Sequence, residues 1–229
     1  MSANWLGVFC GFACIKSLPL KEIKLTESQL EKIADSLAEQ EFYIIDDFAS
    51  PELIDELLDA IAFHREEENF HKAGIGNAHL FTVDKEIRGD YVKWIYEEDA
   101  RPATLVYLRG VENLMASLNR LLFLSLKDLE CHYAIYPPGT FYEKHLDQFK
   151  STNNRKISFA FYLNKNWQPG DGGELRLYRE EGHVDVQPVA GRLAIFRSDT
   201  VEHEVLVTTK DRYSITGWMR DRPVDIPFF

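Results

Sequence analysis

His145 and Asp147 place an imidazole and a carboxylate two residues apart, and a second imidazole follows at His203. Two His nitrogens and one carboxylate oxygen leave open positions on a bound metal, the donor set expected of non-haem iron(II) oxygenases. In extended backbone, side chains two apart point to one face, so His145 and Asp147 can reach a common point. Alone, His-x-Asp is a weak signal, since such pairs arise by chance on many surfaces. His203 strengthens it by opening a strand-like run after the polar stretch Ser198-Asp199-Thr200-Val201-Glu202. The same donors would serve zinc in a hydrolase. That reading has no recognisable general base and leaves Arg212 without a role.

Arg212 supplies the next element of the chemistry. If residues 208–211 form the loop of a hairpin, Val207 faces Arg212, Val205 faces Ser214 and His203 faces Thr216. His203 and Arg212 would then project into one cavity, about 13 Å apart along the strand. A metal–nitrogen bond, a five-carbon diacid and a guanidinium side chain bridge that gap. The Arg fork grips a carboxylate bidentately, which Lys could not do equally well. Within 157–163, Ile157, Phe159, Phe161 and Leu163 form one apolar face; Ser158, Ala160 and Tyr162 form the other. Tyr162 then points inward beside small neighbours. His132, Ala134 and Tyr136 share a face leading into Pro137-Pro138-Gly139. Either phenol could bond a carboxylate, although each taken singly fits a Tyr packed with its hydroxyl at the surface.

The elements that must position these residues are readable from periodicity. Thr26-Glu27-Ser28-Gln29 is a capping box opening a helix to about Gln40. Phe42-Tyr43-Ile44-Ile45 is a short buried strand, and Ser50 caps a second helix with Pro51 at its first position. The spacing predicts a third helix from Val111 to about Leu126. Between the last two, Arg65–Asp90 is charged and Gly-containing, a functional loop or irregular hairpin. After Asp128 come short strands: Glu130–Tyr136, Lys156–Asn164, Gly173–Tyr178, His183–Gln187, Arg192–Arg197, His203–Val207 and Arg212–Arg220. Turn signals separate many of them, which predicts a β-sandwich or barrel with the helices buttressing its outer face. The expected organisation is an N-terminal extension (1–24) and one domain (25–229). Residues 25–127 would give helical support and a substrate loop, and 128–222 the β core.

Composition narrows the function classes. The 229 residues carry a formal net charge of −11, which disfavours a nucleic-acid partner, and 45% hydrophobic residues supply a real core. The three cysteines, Cys10, Cys14 and Cys131, form no disulfide framework and suit a reducing compartment. Trp5 to Ile15 is apolar but too short to span a bilayer and has no preceding Lys or Arg. It reads as a leader packed on the domain or frayed, with no membrane association.

A series of motifs occurs in order: Tyr136-Pro137-Pro138-Gly139, Tyr142-x-x-His145-x-Asp147, Phe161-Tyr162-Leu163-Asn164-Lys165-x-Trp167, Gly172-Gly173-x-Leu175-Arg176, His203-Glu204-Val205 and Arg212-Tyr213-Ser214-Ile215-Thr216-Gly217-Trp218. Over about Glu130 to Arg222 the chain resembles the prolyl 4-hydroxylase branch of the 2-oxoglutarate/iron(II) dioxygenases. It is particularly similar to the hypoxia-inducible-factor prolyl hydroxylases and their bacterial relatives. Ile87-Arg88-Gly89-Asp90-x-x-x-Trp94-Ile95 extends the match upstream. The resemblance implies a mainly β fold, a double-stranded β-helix (jelly-roll) core with N-terminal α-helices on one sheet. It implies Fe(II) on His145, Asp147 and His203, with 2-oxoglutarate and O2 as cosubstrates, and leaves room for ascorbate. Arg212 and Tyr162 would hold the 5-carboxylate, and Tyr136 and Thr216 would also contact the cosubstrate. Trp218, Arg88 and Asp90 would line the substrate pocket. Succinate and CO2 would be released as a prolyl residue in an exposed loop of a protein is hydroxylated, with Ala73–Glu86 folding over the peptide. Elongation factor Tu is a first candidate if the source is bacterial, in a cytoplasmic setting where iron(II) and 2-oxoglutarate are available. The nearest alternative is the same chemistry on a free amino acid or another small molecule; a non-enzymatic β-barrel binding module is a more distant one. Nothing in the sequence sets the oligomeric state.

Overall fold

The computed structural model describes residues 20–74, 88–148 and 154–221. The apolar leader with Cys10 and Cys14, and all of Ala73–Glu86 beyond Gly74, lie outside them. In chain order the elements are α1 (Glu27–Glu39), β1 (Phe42–Ile45), α2 (Pro51–Glu66), β2 (His71–Lys72), β3 (Tyr91–Trp94), α3 (Pro102–Leu122), β4 (Asp128–Tyr136), β5 (Tyr142–His145), β6 (Arg155–Tyr162), β7 (Leu175–Arg179), β8 (Gly182–Val186), β9 (Leu193–Arg197), β10 (His203–Val205) and β11 (Arg212–Arg220).

The first two helices begin where their caps dictate. The Thr26 hydroxyl accepts from the Gln29 amide at 3.3 Å, while the Gln29 side chain accepts from the Thr26 amide at 2.8 Å. Ser50 Oγ likewise accepts from the Leu53 amide at 3.3 Å, with Pro51 in the first turn. The third helix corrects the expectation of Val111 to about Leu126: it starts at Pro102 and ends at Leu122. Proline suits a first helical position because its fixed φ is already helical and no amide hydrogen goes unpaired. The buried stripe in fact continues upstream through Ala103, Thr104, Tyr107 and Leu108. Thr104 disguises it as polar, because its hydroxyl is satisfied internally by Tyr133 Oη at 2.5 Å. At the other end Phe123 turns left-handed, at φ 55°. The Asn119 side chain then bonds both the amide and the carbonyl of Leu126, at 2.6 and 2.8 Å.

Two antiparallel sheets enclose the interior. The larger runs β1-β9-β6-β11-β4-β3-β2 and the smaller β5-β10-β7-β8, the jelly-roll arrangement expected. Period-2 alternation gives the large sheet two different faces. Tyr133, Ile135, Ile157, Phe159, Phe161, Ile195, Ile215 and Met219 face outward and bury the apolar stripes of α1, α2 and α3. Ala134, Tyr136, Ala160, Tyr162 and Ala194 face inward, toward Leu175, Leu177 and Val205 of the small sheet. Gly217 belongs to the crowded outer side: a Cβ there would strike the Glu130 carbonyl and the Phe159 ring.

The expected hairpin of His203–Val207 with β11 is not formed. β10 lies in the small sheet, where His203 pairs with His145 and Leu177, whereas Thr216 of β11 pairs with His132 and Ala160. Residues 206–211 cross between sheets instead of turning within one. The loop is held by the Gly173 amide donating to Val207 O at 3.1 Å and the Thr209 amide donating to Asp171 O at 2.8 Å. The two Gly residues at this crossing cannot carry side chains. Gly172 has φ +73°, and a Cβ would run into the Val207 carbonyl. Gly172→Ala should therefore cost about 2 kcal/mol or more in denaturant unfolding. An unchanged midpoint would show that the crossing relaxes freely.

Candidate metal centre and cosubstrate pocket

His145 ends β5, and its cross-strand partner is His203 at the start of β10, so the two rings meet at 4.3 Å between centroids. Asp147 is not in extended backbone with His145, as the two-residue spacing suggested; it lies in the bend that follows β5. The bend still brings its carboxylate to both rings, with Oδ1 3.5 Å from His145 Nε2 and Oδ2 3.4 Å from His203 Nε2. The three ligand atoms lie within 4.8 Å of one another, close enough to hold one metal ion.

Each imidazole is aimed by its own backbone. His145 Nδ1 lies 2.6 Å from Glu143 O, and His203 Nδ1 lies 3.1 Å from Val201 O. A carbonyl only accepts, so Nδ1 carries the hydrogen in both rings, leaving Nε2 with its lone pair turned toward the metal position. Ser158 Oγ donates to Asp147 Oδ2 at 2.7 Å and sits 2.8 Å from Ser198 Oγ, fixing the carboxylate. Burial would raise the Asp147 carboxyl, but His203, His145 and Arg155 outweigh it and hold the group well below the usual carboxylate range. Burial pushes the His203 imidazole down to about 4. An ionised carboxylate and two imidazoles that each turn an Nε2 lone pair toward the same point are the donor set a divalent metal requires.

The inner face of the large sheet forms rows running across the strands. Trp218 and Ser158 with Phe196 make the row beneath the metal position; Phe196 meets the His203 ring at 4.6 Å. The next row is Trp94, His132, Thr216, Ala160 and Ala194, and beyond it lie Val92, Ala134, Ser214 and Tyr162. Tyr136 and Arg212 come last. The small side chains of the middle rows leave room above them.

Arg212 is 2% exposed, and its Nε donates to Gly173 O at 2.8 Å. Among the described residues its guanidinium forms no ion pair. It lies 5.0 Å from the ring centroids of both Tyr136 and Tyr162. Among the described residues the buried Tyr162 hydroxyl has no hydrogen-bond partner. Burial raises both phenols above their ordinary range, so each stays neutral and able to donate. A buried cation beside an unused hydroxyl is costly unless an anion joins them. A carboxylate meets that need, so these donors fit one end of 2-oxoglutarate. The route by which Arg212 shares the cavity is thus a correction: it enters from the large sheet, rows away from the one beneath His203 of the small sheet, not along a shared hairpin.

Arg88 and Asp90 are bound to each other, Arg88 Nε to Oδ1 at 2.7 Å and Nη2 to Oδ2 at 2.6 Å. Both Asp90 oxygens are engaged, so its role in the cavity wall is to hold Arg88. The Arg88 guanidinium covers the Tyr142 ring at 4.3 Å, and that ring stacks on His145 at 3.7 Å. Sequence reading missed this stack and the Ser158–Asp147 bond. Ser158 offered a clue, as a hydroxyl on the inner face of an apolar strand, but its partner was not inferable from chain position.

The sequence pattern of the 2OG-Fe(II) oxygenase superfamily matches residues 131–220. A prolyl-4-hydroxylase from Pseudomonas putida is 39% identical, with a TM-score of 0.77 over 84% of this chain and 99% of that one. This chain belongs to the 2OG-Fe(II) oxygenase superfamily, on its prolyl hydroxylase branch. The oxygenase is also similar to a Trichoplax adhaerens prolyl hydroxylase solved with a hypoxia-inducible-factor peptide: 28% identity, TM-score 0.76, covering 85% of this chain and 91% of that one. A prolyl 4-hydroxylase structure from Phytophthora capsici matches at 25% identity and TM-score 0.64, over 86% and 64% of the two chains. The oxygenase is a 2-oxoglutarate-dependent dioxygenase requiring Fe(II), 2-oxoglutarate and O2. Among the described residues, no helix is long and apolar enough to cross a membrane.

Proposed function

We propose that this dioxygenase hydroxylates a prolyl residue in a protein, with elongation factor Tu as the first candidate substrate in a cytoplasmic setting. The observation that carries this reading is the 39% identity to a prolyl-4-hydroxylase over 99% of that protein's length. The peptide complex of the Trichoplax relative supports a peptide or protein as the substrate class.

In this reading His145, Asp147 and His203 hold iron, which when bound supplies oxygen activation coupled to 2-oxoglutarate decarboxylation. Arg212 and Tyr162 take the 5-carboxylate, with Tyr136 beside them and Thr216 on the floor between the two ends. Ser158 keeps the Asp147 carboxylate turned to the metal, and the carbonyls of Glu143 and Val201 keep Nε2 of each imidazole turned the same way. Trp218 and the Arg88–Tyr142 pair flank the metal position, forming an aromatic, partly cationic wall for the substrate. The small inner-face residues shape a cavity closed to bulk water on the helix side.

The test is incubation of purified elongation factor Tu with enzyme, Fe(II), 2-oxoglutarate and O2, with mass spectrometry of every prolyl peptide. One added oxygen on a prolyl residue, stoichiometric with succinate, is the expected result. Turnover of free proline faster than any protein or peptide would replace this reading with the small-molecule one.

A further inference from the structure

His132 has no part in the chemistry above, yet it stands in the middle of the inner face. Its cross-strand partners are Trp94 of β3 and Thr216 of β11. The rings of Trp94 and Trp218 flank it at 4.9 and 5.6 Å. His132 is 3% exposed and Trp218 7%, and among the described residues neither His132 Nδ1 nor Trp218 Nε1 has a hydrogen-bond partner. Buried polar atoms without partners destabilise a fold, and native structures keep few of them. An apolar side chain of similar size would fill the space between the indoles without that penalty. Thr216, although on a central strand, is only partly buried, so open space reaches this row.

The chemistry of the pair restricts what it can bind. Burial pushes the His132 imidazole down to about 3, with Arg88 and Arg155 lowering it and Asp90 and Asp147 opposing them. A neutral imidazole offers one donor and one acceptor, whereas an indole only donates. The carboxylate donors Arg212 and Tyr162 occupy the other end of the cavity, Arg212 two rows further along β11.

We propose that His132 and Trp218 form a hydrogen-bonding subsite for a backbone amide of the substrate, next to the residue hydroxylated. This rests on the peptide-substrate reading and makes His132 a specificity-determining residue. An amide brings one acceptor and one donor, both neutral, matching the neutral pair. A free carboxylate only accepts and a free ammonium only donates, so neither matches the pair as an amide does.

The experiment compares wild type with His132→Leu, His132→Met and His132→Asn, using elongation factor Tu and an N-acetylated, C-amidated prolyl peptide as probes. Asn keeps a polar group near the position of Nδ1; Leu and Met do not. In either apolar variant, KM for the hydroxylated probe should rise roughly tenfold, as for one lost hydrogen bond, while Asn recovers most of it. Thermal unfolding without substrate should show the apolar variants no less stable than wild type, since an unpaired buried nitrogen has been removed. A merely structural His132 would lower stability instead. Unchanged probe KM in a folded apolar variant overturns the proposal. So does a parallel rise in the 2-oxoglutarate dissociation constant, titrated with Mn(II) in place of Fe(II), which would assign the imidazole to the cosubstrate. Wild type that turns over neither probe but accepts free proline defeats the peptide reading itself, a distinguishable outcome.

Discussion

Replacing His145, Asp147 or His203 with Ala should each lower iron-dependent succinate production by more than a hundredfold while leaving the protein folded. The reason is geometric. The three ligand atoms converge within 4.8 Å from two elements of the small sheet and the bend after β5, so no remaining pair can fix a metal as three do. Their side chains line a cavity between sheets, whereas the folding core lies on the other face, between the large sheet and the helices. Thermal unfolding should therefore change little compared with activity. Ser158→Ala is the graded version. It removes the 2.7 Å bond to Asp147 Oδ2 but no ligand, and should weaken metal affinity by roughly tenfold to a hundredfold. Iron titration followed by a succinate assay checks all four. Full activity in any of the three Ala variants would remove that residue from the metal site.

Arg212→Ala should weaken 2-oxoglutarate binding by about 2–4 kcal/mol, a loss of roughly thirty- to a thousandfold, because a charge-assisted bidentate contact to a buried carboxylate disappears. Arg212→Lys should fall between, since it keeps the charge but loses the fork. Tyr162→Phe removes one neutral donor and should cost about 1 kcal/mol. The structure adds a second expectation that separates ligand binding from stability. Arg212 is buried with no ion pair among the described residues, so its guanidinium is a burden on the free enzyme. Thermal stability of Arg212→Ala without 2-oxoglutarate should accordingly fall far less than its affinity, and the stabilisation that added 2-oxoglutarate gives the wild type should vanish. A variant that binds 2-oxoglutarate as the parent does would refute the assignment.

The candidate residues of the site were legible in the sequence because ligand chemistry restricts residue type. Two imidazoles and a carboxylate, a fork-bearing Arg and an inward Tyr can be recognised wherever the chain places them. The faces of β6 were legible too, since strand alternation is a local rule and the Ile157–Leu163 run obeys it on both sides. The caps of α1 and α2 depend only on bonds within one turn, and both were read correctly.

What chain position could not decide was which strands pair. His203 and Arg212 lie close in sequence, and a hairpin was the economical expectation, yet β10 and β11 belong to different sheets. The reason is tertiary. β11 is taken on both sides by β4 and β6, while β10 is taken by β5 and β7. The chain between them must therefore cross over the Gly172-Gly173 turn. Helix α3 went partly unread for a similar reason, because Thr104 reads as polar until Tyr133, from a distant strand, satisfies it. The Arg88–Tyr142–His145 stack and the burial of the His132 and Trp218 nitrogens, unpaired among the described residues, likewise exist only once separate strands converge. Residue type and local period thus pointed to the chemistry this protein carries and to the candidate side chains for it. Long-range strand pairing, driven by burial of both faces of the large sheet, decided how those side chains meet.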